Sequence, residues 1–306
     1  MSMTTGARNI EQIDKKVKEV FIAGANGYNP MYNKVFNIET PERFDERYTT
    51  TKTDAAVLEV ADGGAFPTQP IVEIGANQIT QRIFKSAIQI GDVAELFDNY
   101  GAIERTAQTR GYQMVAKIDI LGADILNNST STSAPYGINI AGTTTSLFST
   151  TQPIGDSGDT QSNRVSGDLD KTTLNSAYVA MRKMKDHDGM IAGFQARRLV
   201  VPMEEFQNAW QICMSRGEPE SANRNDNFSQ TLGLEIIPWQ QLSSTTACFL
   251  LADKGMMQAR GLRYPIKEMP TIRRLFDTKT GTHMYTFRMF VAPGLTDYQG
   301  CVSIGL

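Results

Sequence analysis

A long stretch with the apolar spacing of a single helix, residues 92 to about 127, places the strongest constraint on the fold. Apolar residues recur there mostly at steps of three or four, at Val93, Leu96, Phe97, Tyr100, Ile103, Ala107, Tyr112, Val115, Ile118, Ile125 and Leu126. This spacing is typical of a helix that packs one face against a core. At 1.5 Å per residue the helix would be roughly 50 Å long, longer than a small globular domain is wide. We therefore expect an elongated subunit.

A candidate N-cap and three glycines bear on where this predicted helix begins and whether it is straight. Asp92 follows Gly91 and can serve as its N-cap. Gly101, Gly111 and Gly122 lie inside the pattern, where a glycine costs about 1 kcal/mol relative to alanine. We expect these glycines to mark kinks or close contacts between backbones.

Composition excludes several classes of protein. The 306 residues are enough for one large or two ordinary domains, and the net charge of −3 provides no overall field for nucleic acid. The three cysteines are far apart, lack metal-site spacing and are expected to be reduced and buried: Cys213, Cys248 and Cys301. Residues 1–8 do not resemble a signal peptide, and the longest apolar run, 247–252, is too short to cross a bilayer. We expect a protein of the cytoplasm, or of a particle assembled there.

The first 90 residues suggest an arm and a ribbon. Residues 1–8 are expected to be a disordered tip, and residues 9–24 an amphipathic helix. The turn-rich segment 24–44 is expected to lie on a surface without forming a core of its own. Residues 45–90 favour extended structure and predict a long two-stranded hairpin with its turn at 63–67. Because such a ribbon is marginal alone in water, we expect its partner surface on another chain.

The remainder divides into a polar segment and an α/β region. Residues 128–170 are rich in serine, threonine and glycine and predict a long irregular excursion, of the kind that binds something or orders on assembly. Beyond it the pattern predicts helices at 171–185 and 203–215, strands at 197–201, 232–237 and 246–252, and a hairpin of strands 271–276 and 284–291 with its turn at 277–282. In the second helix we expect four buried residues: Phe206, Trp210, Cys213 and Met214.

One string resembles a catalytic motif. Residues 155–158, Gly-Asp-Ser-Gly, resemble the nucleophile segment of chymotrypsin-like proteases, but Asp159 stands where that family has another glycine. The protease also needs a histidine upstream of the serine, whereas His187 and His283 both lie downstream. A flexible loop is the favoured interpretation, and a hydrolase that uses Ser157 remains an alternative.

Metal and nucleic-acid sites are also weakly indicated. His187 is expected to cap a helix C-terminus rather than bind a metal. Asn223, Asn225 and Asn227 have the spacing of a calcium loop, but Phe228 replaces the glycine that such a loop requires. Basic residues are expected to form solvated faces or intersubunit ion pairs, with a lining for enclosed DNA as the alternative: Arg182, Lys183, Lys185, Arg197, Arg198, Arg260, Arg263, Lys267, Arg273 and Arg274. We expect no catalytic, cofactor-binding or metal-binding residues.

The order of these features resembles that of a known family. Residues 199–205, 233–238 and 250–255 resemble three strand segments of the major capsid protein of tailed bacteriophages, and the helical arm, hairpin, long helix, α/β lobe and final hairpin follow in the same order. The resemblance implies an α+β fold of the Hong Kong 97 type. It implies an N-terminal arm (1–44), an extended hairpin loop (45–90), a peripheral domain with the long spine helix (91–170 and 262–306) and an α/β axial domain (171–261).

The resemblance also implies a function. The chain would self-assemble into pentamers and hexamers of an icosahedral head in the host cytoplasm and enclose double-stranded DNA without sequence-specific binding. Portal and scaffolding proteins are implied partners, with no scaffold fused to the subunit and a decoration protein left open. Some relatives cross-link a lysine of the hairpin loop to a neighbour, but Lys52 and Lys85 do not match closely enough to transfer that chemistry. An encapsulin-type nanocompartment shell is the alternative within this fold.

Overall fold

The computed structural model describes residues 3–53, 70–91, 101–217, 226–256, 261–277 and 282–306, together with residues 59, 62, 64 and 68. The helices are α1 Met3–Asn26, α2 Tyr32–Val35, α3 Ala102–Asn127, α4 Lys171–Lys183, α5 Phe206–Met214 and α6 Phe228–Thr231. The strands are β1 Asn37–Glu39, β2 Asp45–Thr53, β3 Ile71–Thr80, β4 Arg82–Gly91, β5 Gly137–Ile140, β6 Thr143–Ser146, β7 Gln152–Pro153, β8 Thr160–Gln161, β9 Arg164–Val165, β10 Ala196–Val201, β11 Glu235–Pro238, β12 Cys248–Ala252, β13 Leu262–Asp277, β14 Thr282–Val291, β15 Gly294–Leu295 and β16 Cys301–Ile304.

Two five-stranded sheets organise the chain. Sheet I has the order β1-β13-β14-β4, with β15 also paired to β13, and sheet II has the order β11-β10-β12-β16-β9. The predicted final hairpin is confirmed, since β13 and β14 pair antiparallel up to Asp277 and Thr282, although 278–281 lie outside the described residues. Sheet II draws β9 and β16 from outside residues 171–261, so that predicted range does not contain the whole sheet.

Residues 102–127 of the predicted spine helix form helix α3. It has 26 residues, which is about 39 Å of helix, and its N-cap is Gly101. Gly101 has a φ of +63°, a left-handed conformation that glycine adopts without steric cost and that interrupts a right-handed helix. Gly101 therefore interrupts the predicted helix, in agreement with the expectation of a kink at a glycine, and Asp92 lies outside the described residues.

The two other glycines of α3 do mark close contacts. A Cβ atom placed on Gly111 would lie 2.2 Å from the carbonyl oxygen of Phe21, so α1 and α3 approach backbone to backbone. On the α1 side, a Cβ atom placed on Gly24 would clash with the backbone of Gln108. A Cβ atom placed on Gly122 would lie 3.2 to 3.3 Å from side-chain atoms of Tyr32, Phe36 and Trp239. The expectation of close contact between backbones is therefore confirmed at Gly111, whereas Gly122 makes room for side chains.

The N-terminal arm belongs to the core. Helix α1 begins at Met3, so the prediction of a disordered tip is wrong for residues 3–8. Tyr32 and Phe36 are buried and pack their rings against Tyr264, with centroids 5.1 and 5.5 Å apart. Segment 24–44 has no separate core, as expected, and its aromatic side chains pack instead into the core of the subunit, against Tyr264 and Trp239.

The predicted ribbon is confirmed only in part. Strands β2 and β3 pair antiparallel from Asp45 and Thr80 to Thr53 and Ile71, whereas β4 pairs with β14 in sheet I. The strands part at Gln81, whose buried side-chain amide donates to the carbonyl of Pro265 at 3.3 Å. Residues 82–91 therefore belong to sheet I and not to a hairpin spanning 45–90. The predicted turn at 63–67 lies outside the described residues except for Gly64.

The polar segment 128–170 forms five short strands joined by loops, so the prediction of a long irregular excursion is only partly right. Strands β5 and β6 form a short hairpin that buries Ile138 and Ile140. The buried amide of Gln152 donates to the carbonyls of Ser146 and Leu147 at 2.8 and 3.0 Å, and that of Asn163 donates to Leu147 at 2.8 Å. These amides replace the backbone pairing that a regular sheet would supply, because buried polar groups require partners.

Candidate assembly surfaces

Helix α5 exposes large apolar side chains on one face. Phe206, Trp210 and Met214 are 37%, 54% and 40% exposed, and Met203 in the preceding turn is 53% exposed. Residues four apart share a face of a helix, so these side chains form one stripe, here named the α5 stripe. The prediction that Phe206, Trp210 and Met214 are buried is wrong.

The other side of α5 explains this orientation. Ala209, Ile212 and Cys213 are buried, and they face the sheet II edge at β11. Burial of Cys213 is as predicted. With the sheet covering one side of α5, the larger apolar residues are left in water, and a second protein surface that covered them would gain the hydrophobic free energy of their burial.

The far end of the β2–β3 ribbon is held on the body of the subunit by two aspartates. The ammonium of Lys52 lies 2.6 Å from Oδ1 of Asp156. The backbone N–H of Thr53 donates to Oδ1 of Asp188 at 2.7 Å, and its hydroxyl donates to Oδ2 at 3.2 Å. The hydrogen bond from Lys52 lowers the pKa of the Asp156 carboxyl below its ordinary value.

A buried hydrogen bond fixes the turn that carries Asp188. Nε2 of His187 lies 2.8 Å from Oδ2 of Asp297, and both side chains are buried. Gly155, at φ +55°, approaches the carbonyl of His187 so closely that a Cβ atom there would lie 2.3 Å from it. His187 therefore does not cap a helix, because α4 already ends at Lys183, and the prediction of a cap is wrong.

A buried carboxylate joins the arm, the spine helix and sheet II. Asp119 of α3 accepts hydrogen bonds from the hydroxyl of Tyr28 at 2.9 Å and from the backbone N–H groups of Met31 and Tyr32 at 2.8 Å each. The indole N–H of Trp239, which follows β11, donates to the same carboxylate at 2.9 Å. Sequence reasoning missed Asp119, although a charged residue one position after Ile118 inside the apolar stripe was a usable signal.

The structure does not assemble a triad around Ser157. Its hydroxyl donates to the carbonyl of Ile154 at 2.8 Å, and its side chain is not hydrogen-bonded to His187 among the described residues. His187 is buried while Ser157 is exposed, so His187 is not placed to act as the base for this serine.

Of the three asparagines with the spacing of a calcium loop, only Asn227 is among the described residues. Asn223 and Asn225 lie outside the described residues, and Asn227 caps α6 by accepting from the N–H of Ser229 at 3.0 Å. Within the described ranges, no three histidine, cysteine, aspartate or glutamate side chains are grouped to hold a metal ion. No described helix is both long and apolar enough to cross a membrane.

The three cysteines are buried, and two of the basic residues bond within the subunit. Burial raises the pKa of Cys213 to about 11 and those of Cys248 and Cys301 to about 12, and all three thiols are free, as predicted. Arg198 is buried and donates to the carbonyls of Lys34 and Val35 at 2.7 and 3.0 Å, and Arg263 pairs with Glu39 at 2.5 Å. These two guanidinium groups tie the arm to the sheets.

Comparison with known proteins identifies the fold. A family model described as "Phage capsid protein" matches residues 76–304, and no curated protein sequence matches the chain. The capsid of Cyanophage P-SCSP1u is similar, with a TM-score of 0.58 and 10% identity over 90% of this chain and 88% of that chain. The mature capsid of bacteriophage PhiM1 has a TM-score of 0.58 and 10% identity over 91% and 87% of the two chains. A structure of Mycobacterium phage Che8 has a TM-score of 0.52 and 12% identity over 90% and 91%.

These similarities extend along nearly the whole chain. The predicted α+β fold of the Hong Kong 97 type is confirmed, and the ribbon, spine helix and final hairpin have the order that the resemblance implied. A family and fold of this kind are those of a structural protein rather than an enzyme.

Proposed function

The chain belongs to the phage capsid protein family and is a structural major capsid protein, and we propose that its copies assemble into the pentamers and hexamers of an icosahedral head that encloses double-stranded DNA. The assembled head is the capsid of the virion, built in the host cytoplasm. A closed shell of this kind repeats the same few contacts between identical subunits. The subunit must therefore offer surfaces that only a second copy covers.

The observation that carries this proposal is the α5 stripe. The chain has a complete core, yet Phe206, Trp210 and Met214 remain in water on one helix face. Leu275 and Phe276, close to the end of the β13–β14 hairpin, are likewise about half exposed. Exposed apolar side chains at separate places on one subunit are the surfaces that contacts to several neighbours would bury.

We also propose how the parts are arranged in the head. Sheet II with α4 and α5 forms the axial domain, with the loop 216–230 directed toward the centre of a capsomer. Helix α3 and sheet I form the peripheral domain, and the turn between Asp277 and Thr282 approaches a three-fold junction. The ribbon is the extended loop. The separate ordering of the two sheets supports this division.

In this proposal the shell encloses DNA without recognising its sequence. The net charge of −3 gives no general attraction to nucleic acid, and Arg198 and Arg263 already bond within the subunit. A portal and a separate scaffolding protein are the proposed partners of assembly. The subunit itself is proposed to catalyse nothing, in keeping with the hydrogen bond of the Ser157 hydroxyl to the carbonyl of Ile154 and the burial of His187.

Electron microscopy of the overexpressed, purified protein tests the proposal. We expect closed shells with pentameric and hexameric capsomers, and mass spectrometry of the shells should detect no specific enzyme cargo. Small shells filled with one host enzyme would instead identify an encapsulin. Soluble monomers at high concentration, with or without a scaffolding protein from the same genome, would contradict a shell function. The variant Ser157→Ala should form shells with the same yield as the unmodified chain.

A further inference from the structure

The solvent side of the spine helix α3 carries positive charge. Arg105 and Lys117 are exposed and Arg110 is partly exposed on this side, and the three residues are here named the α3 basic face. No aspartate or glutamate occurs in the sequence from Arg105 to Ile118. The helix therefore presents a local positive surface on a chain whose net charge is −3.

These cations are not neutralised within the subunit. Glu104, the acidic residue in the first turn of α3, pairs with Lys16 of α1 at 2.5 Å. Nη1 of Arg110 donates to the neutral side-chain amide oxygen of Gln113 at 3.1 Å. Among the residues that the structure describes, none forms an ion pair with the other two members of the α3 basic face. The face therefore keeps its charge for a partner outside the subunit.

The α3 basic face lacks the large apolar anchors of a protein interface. Apart from Tyr112, the other exposed side chains between residues 105 and 117 are polar: Thr106, Gln108, Thr109 and Gln113. Tyr112 is 46% exposed, and its ring packs edge-on against Tyr28 of the same subunit, with centroids 5.2 Å apart. Protein interfaces concentrate their affinity in a few well-packed anchors, often tryptophan or tyrosine. The α5 stripe offers such anchors, whereas the α3 basic face fits a partner whose surface is charged and polar.

Helix α3 holds these charges at a fixed spacing. The axial distance from Arg105 to Lys117 is about 18 Å at 1.5 Å per residue. The opposite side of the helix is fixed in the subunit by the backbone contact of Gly111 with α1 and by the hydrogen bonds of Asp119. Double-stranded DNA carries one negative charge per about 1.7 Å of its axis, whatever its sequence. A rigid row of cations of this length therefore matches a phosphate backbone.

We propose that the α3 basic face binds the phosphate backbone of the double-stranded DNA inside the head, so that α1 and α3 form the inner surface of the shell. This inference rests on the proposed shell function. It adds one defined contact to a subunit whose overall charge gives DNA no general attraction. Because the contact is made to phosphates and not to base edges, it holds DNA of any sequence.

The opposite surface of the same domain supplies an internal comparison. Sheet I packs one face against α1, where the rings of Phe21 and Phe287 lie 5.2 Å apart. Successive residues of a strand point to opposite faces of the sheet. Arg273 and Lys85 pair with the β14 residues on either side of Phe287, so both lie on the far face, where both are exposed. The proposal places this far face outside the DNA compartment.

Binding through phosphates has a measurable salt dependence. Each phosphate that is neutralised contributes about −0.9 to the slope of log affinity against log salt concentration. Two contacts, from Arg105 and Lys117, therefore account for a loss of about tenfold in affinity between about 50 and 200 mM salt. Removal of these two charges should weaken binding at low salt and reduce the salt dependence by this amount.

The double variant Arg105→Gln with Lys117→Gln tests the contact. The matched control, Lys85→Gln with Arg273→Gln, also removes one arginine and one lysine, but from the far face of sheet I. The affinity of dissociated subunits for a DNA duplex of random sequence is measured by fluorescence anisotropy at both salt concentrations. We expect the α3 double variant to bind at least about tenfold more weakly at low salt, and the control to bind like the unmodified chain. Both variants should keep the melting temperature of the unmodified chain, because the four side chains are exposed.

Amine labelling tests the position of the α3 basic face in the assembled head. DNA-filled heads and heads emptied of DNA are treated with a small amine-reactive reagent and analysed by mass spectrometry. We expect Lys117 to react only after the DNA is released, and Lys85 to react to the same extent in both. Equal labelling of Lys117 in filled and emptied heads would overturn the proposal.

Three further outcomes would also overturn it. Equal losses of affinity in the two double variants would mean that total charge, and not the α3 basic face, decides DNA binding. An α3 double variant that keeps its DNA affinity but no longer binds poly-L-glutamate would identify an acidic protein as the partner. Failure of the α3 double variant alone to form shells would mean that the face is a contact between subunits. Failure of the unmodified chain to form shells overturns the proposed function, and this inference with it.

Discussion

Helices α3 and α5 both have apolar residues at helical spacing, but the two apolar faces differ in where they point. In α3 the apolar face lies in the core and surrounds a buried carboxylate, Asp119. In α5 the largest apolar side chains, including Trp210, point into water, while the smaller Ala209 and Cys213 face the sheet.

The difference follows from what covers each helix. Helix α3 is packed by α1, by α2 and by β13, so nearly every apolar residue on it finds a partner within the subunit. Helix α5 lies beside β11 at the edge of sheet II and is covered on one side. Helical spacing therefore predicts a helix, whereas the direction of its apolar residues depends on how many elements surround it. A buried charged residue on a core helix, such as Asp119, and an exposed apolar residue on an edge helix, such as Trp210, both indicate a role other than filling the core.

The largest expected effect comes from removing the carboxylate of α3. Asp119→Ala leaves the hydroxyl of Tyr28, the indole of Trp239 and two backbone N–H groups buried without their acceptor, at about 1–3 kcal/mol for each donor. We expect the free energy of unfolding of the dissociated subunit to fall by at least about 4 kcal/mol in urea titrations. The matched control is Asp124→Ala on the same helix. Because the side chain of Asp124 is only partly buried, this change should lower the free energy of unfolding by about 1 kcal/mol. Equal effects of the two changes would contradict a special role for Asp119.

Substitutions on the two faces of α5 should affect different properties. A change on the buried face should lower the free energy of unfolding, and a change on the exposed face should lower particle yield. Ile212→Ala removes a buried side chain and should lower the free energy of unfolding by about 3 kcal/mol. Trp210→Ala should change it by less than about 1 kcal/mol, because the side chain is half exposed. Particle yield should instead collapse for Trp210→Ala, measured by sedimentation and electron microscopy. Normal shells from Trp210→Ala would mean that the α5 stripe is not a contact surface.

The close approach of α1 and α3 predicts a smaller loss. Gly111→Ala improves helix propensity by about 1 kcal/mol but places a Cβ atom against the Phe21 carbonyl, and overpacking of this kind costs typically 1–3 kcal/mol. We expect a net destabilisation of roughly 1 kcal/mol, seen as a lower melting temperature. The matched control is Gln113→Ala, an exposed position on the same helix, which should be neutral or slightly stabilising. A higher melting temperature for Gly111→Ala would show that the helices can separate at no cost.

The smallest effect is expected for alkylation of Cys213, on the buried face of α5. Burial raises the pKa of Cys213 to about 11, so at pH 8 its thiol is both inaccessible and protonated. Native protein treated with iodoacetamide at pH 8 should show no modification of Cys213 by mass spectrometry, and unfolded protein should be modified fully. Rapid modification in the native state would place Cys213 on the outward side and reverse the orientation of α5.

Local patterns were sufficient for elements that are fixed by their own residues. Helix α4 begins where Asp170 and Thr173 form a capping box, and strands β10 and β14 lie close to their predicted ranges, whereas β13 begins at Leu262, well before the predicted start at residue 271. The extent of the ribbon was not readable, because Gln81 separates β3 from β4 through a bond to Pro265, some 184 residues away in the chain. The order within 128–170 was missed for the same reason, since Gln152 and Asn163 look like any surface amide until the carbonyls they satisfy are known.

The sequence by itself determined the approximate order of helices and strands, because this follows from periodicity and turn residues, and its resemblance to a known family implied the class of fold. Only the tertiary structure decided which side of α5 is exposed, where the ribbon ends and what Asp119, His187 and Asp156 contact. The physical reason is that burial and hydrogen bonding are properties of pairs. A residue's own chemistry sets the free energy that a contact would contribute, but the partner that makes the contact is brought to it by the rest of the chain.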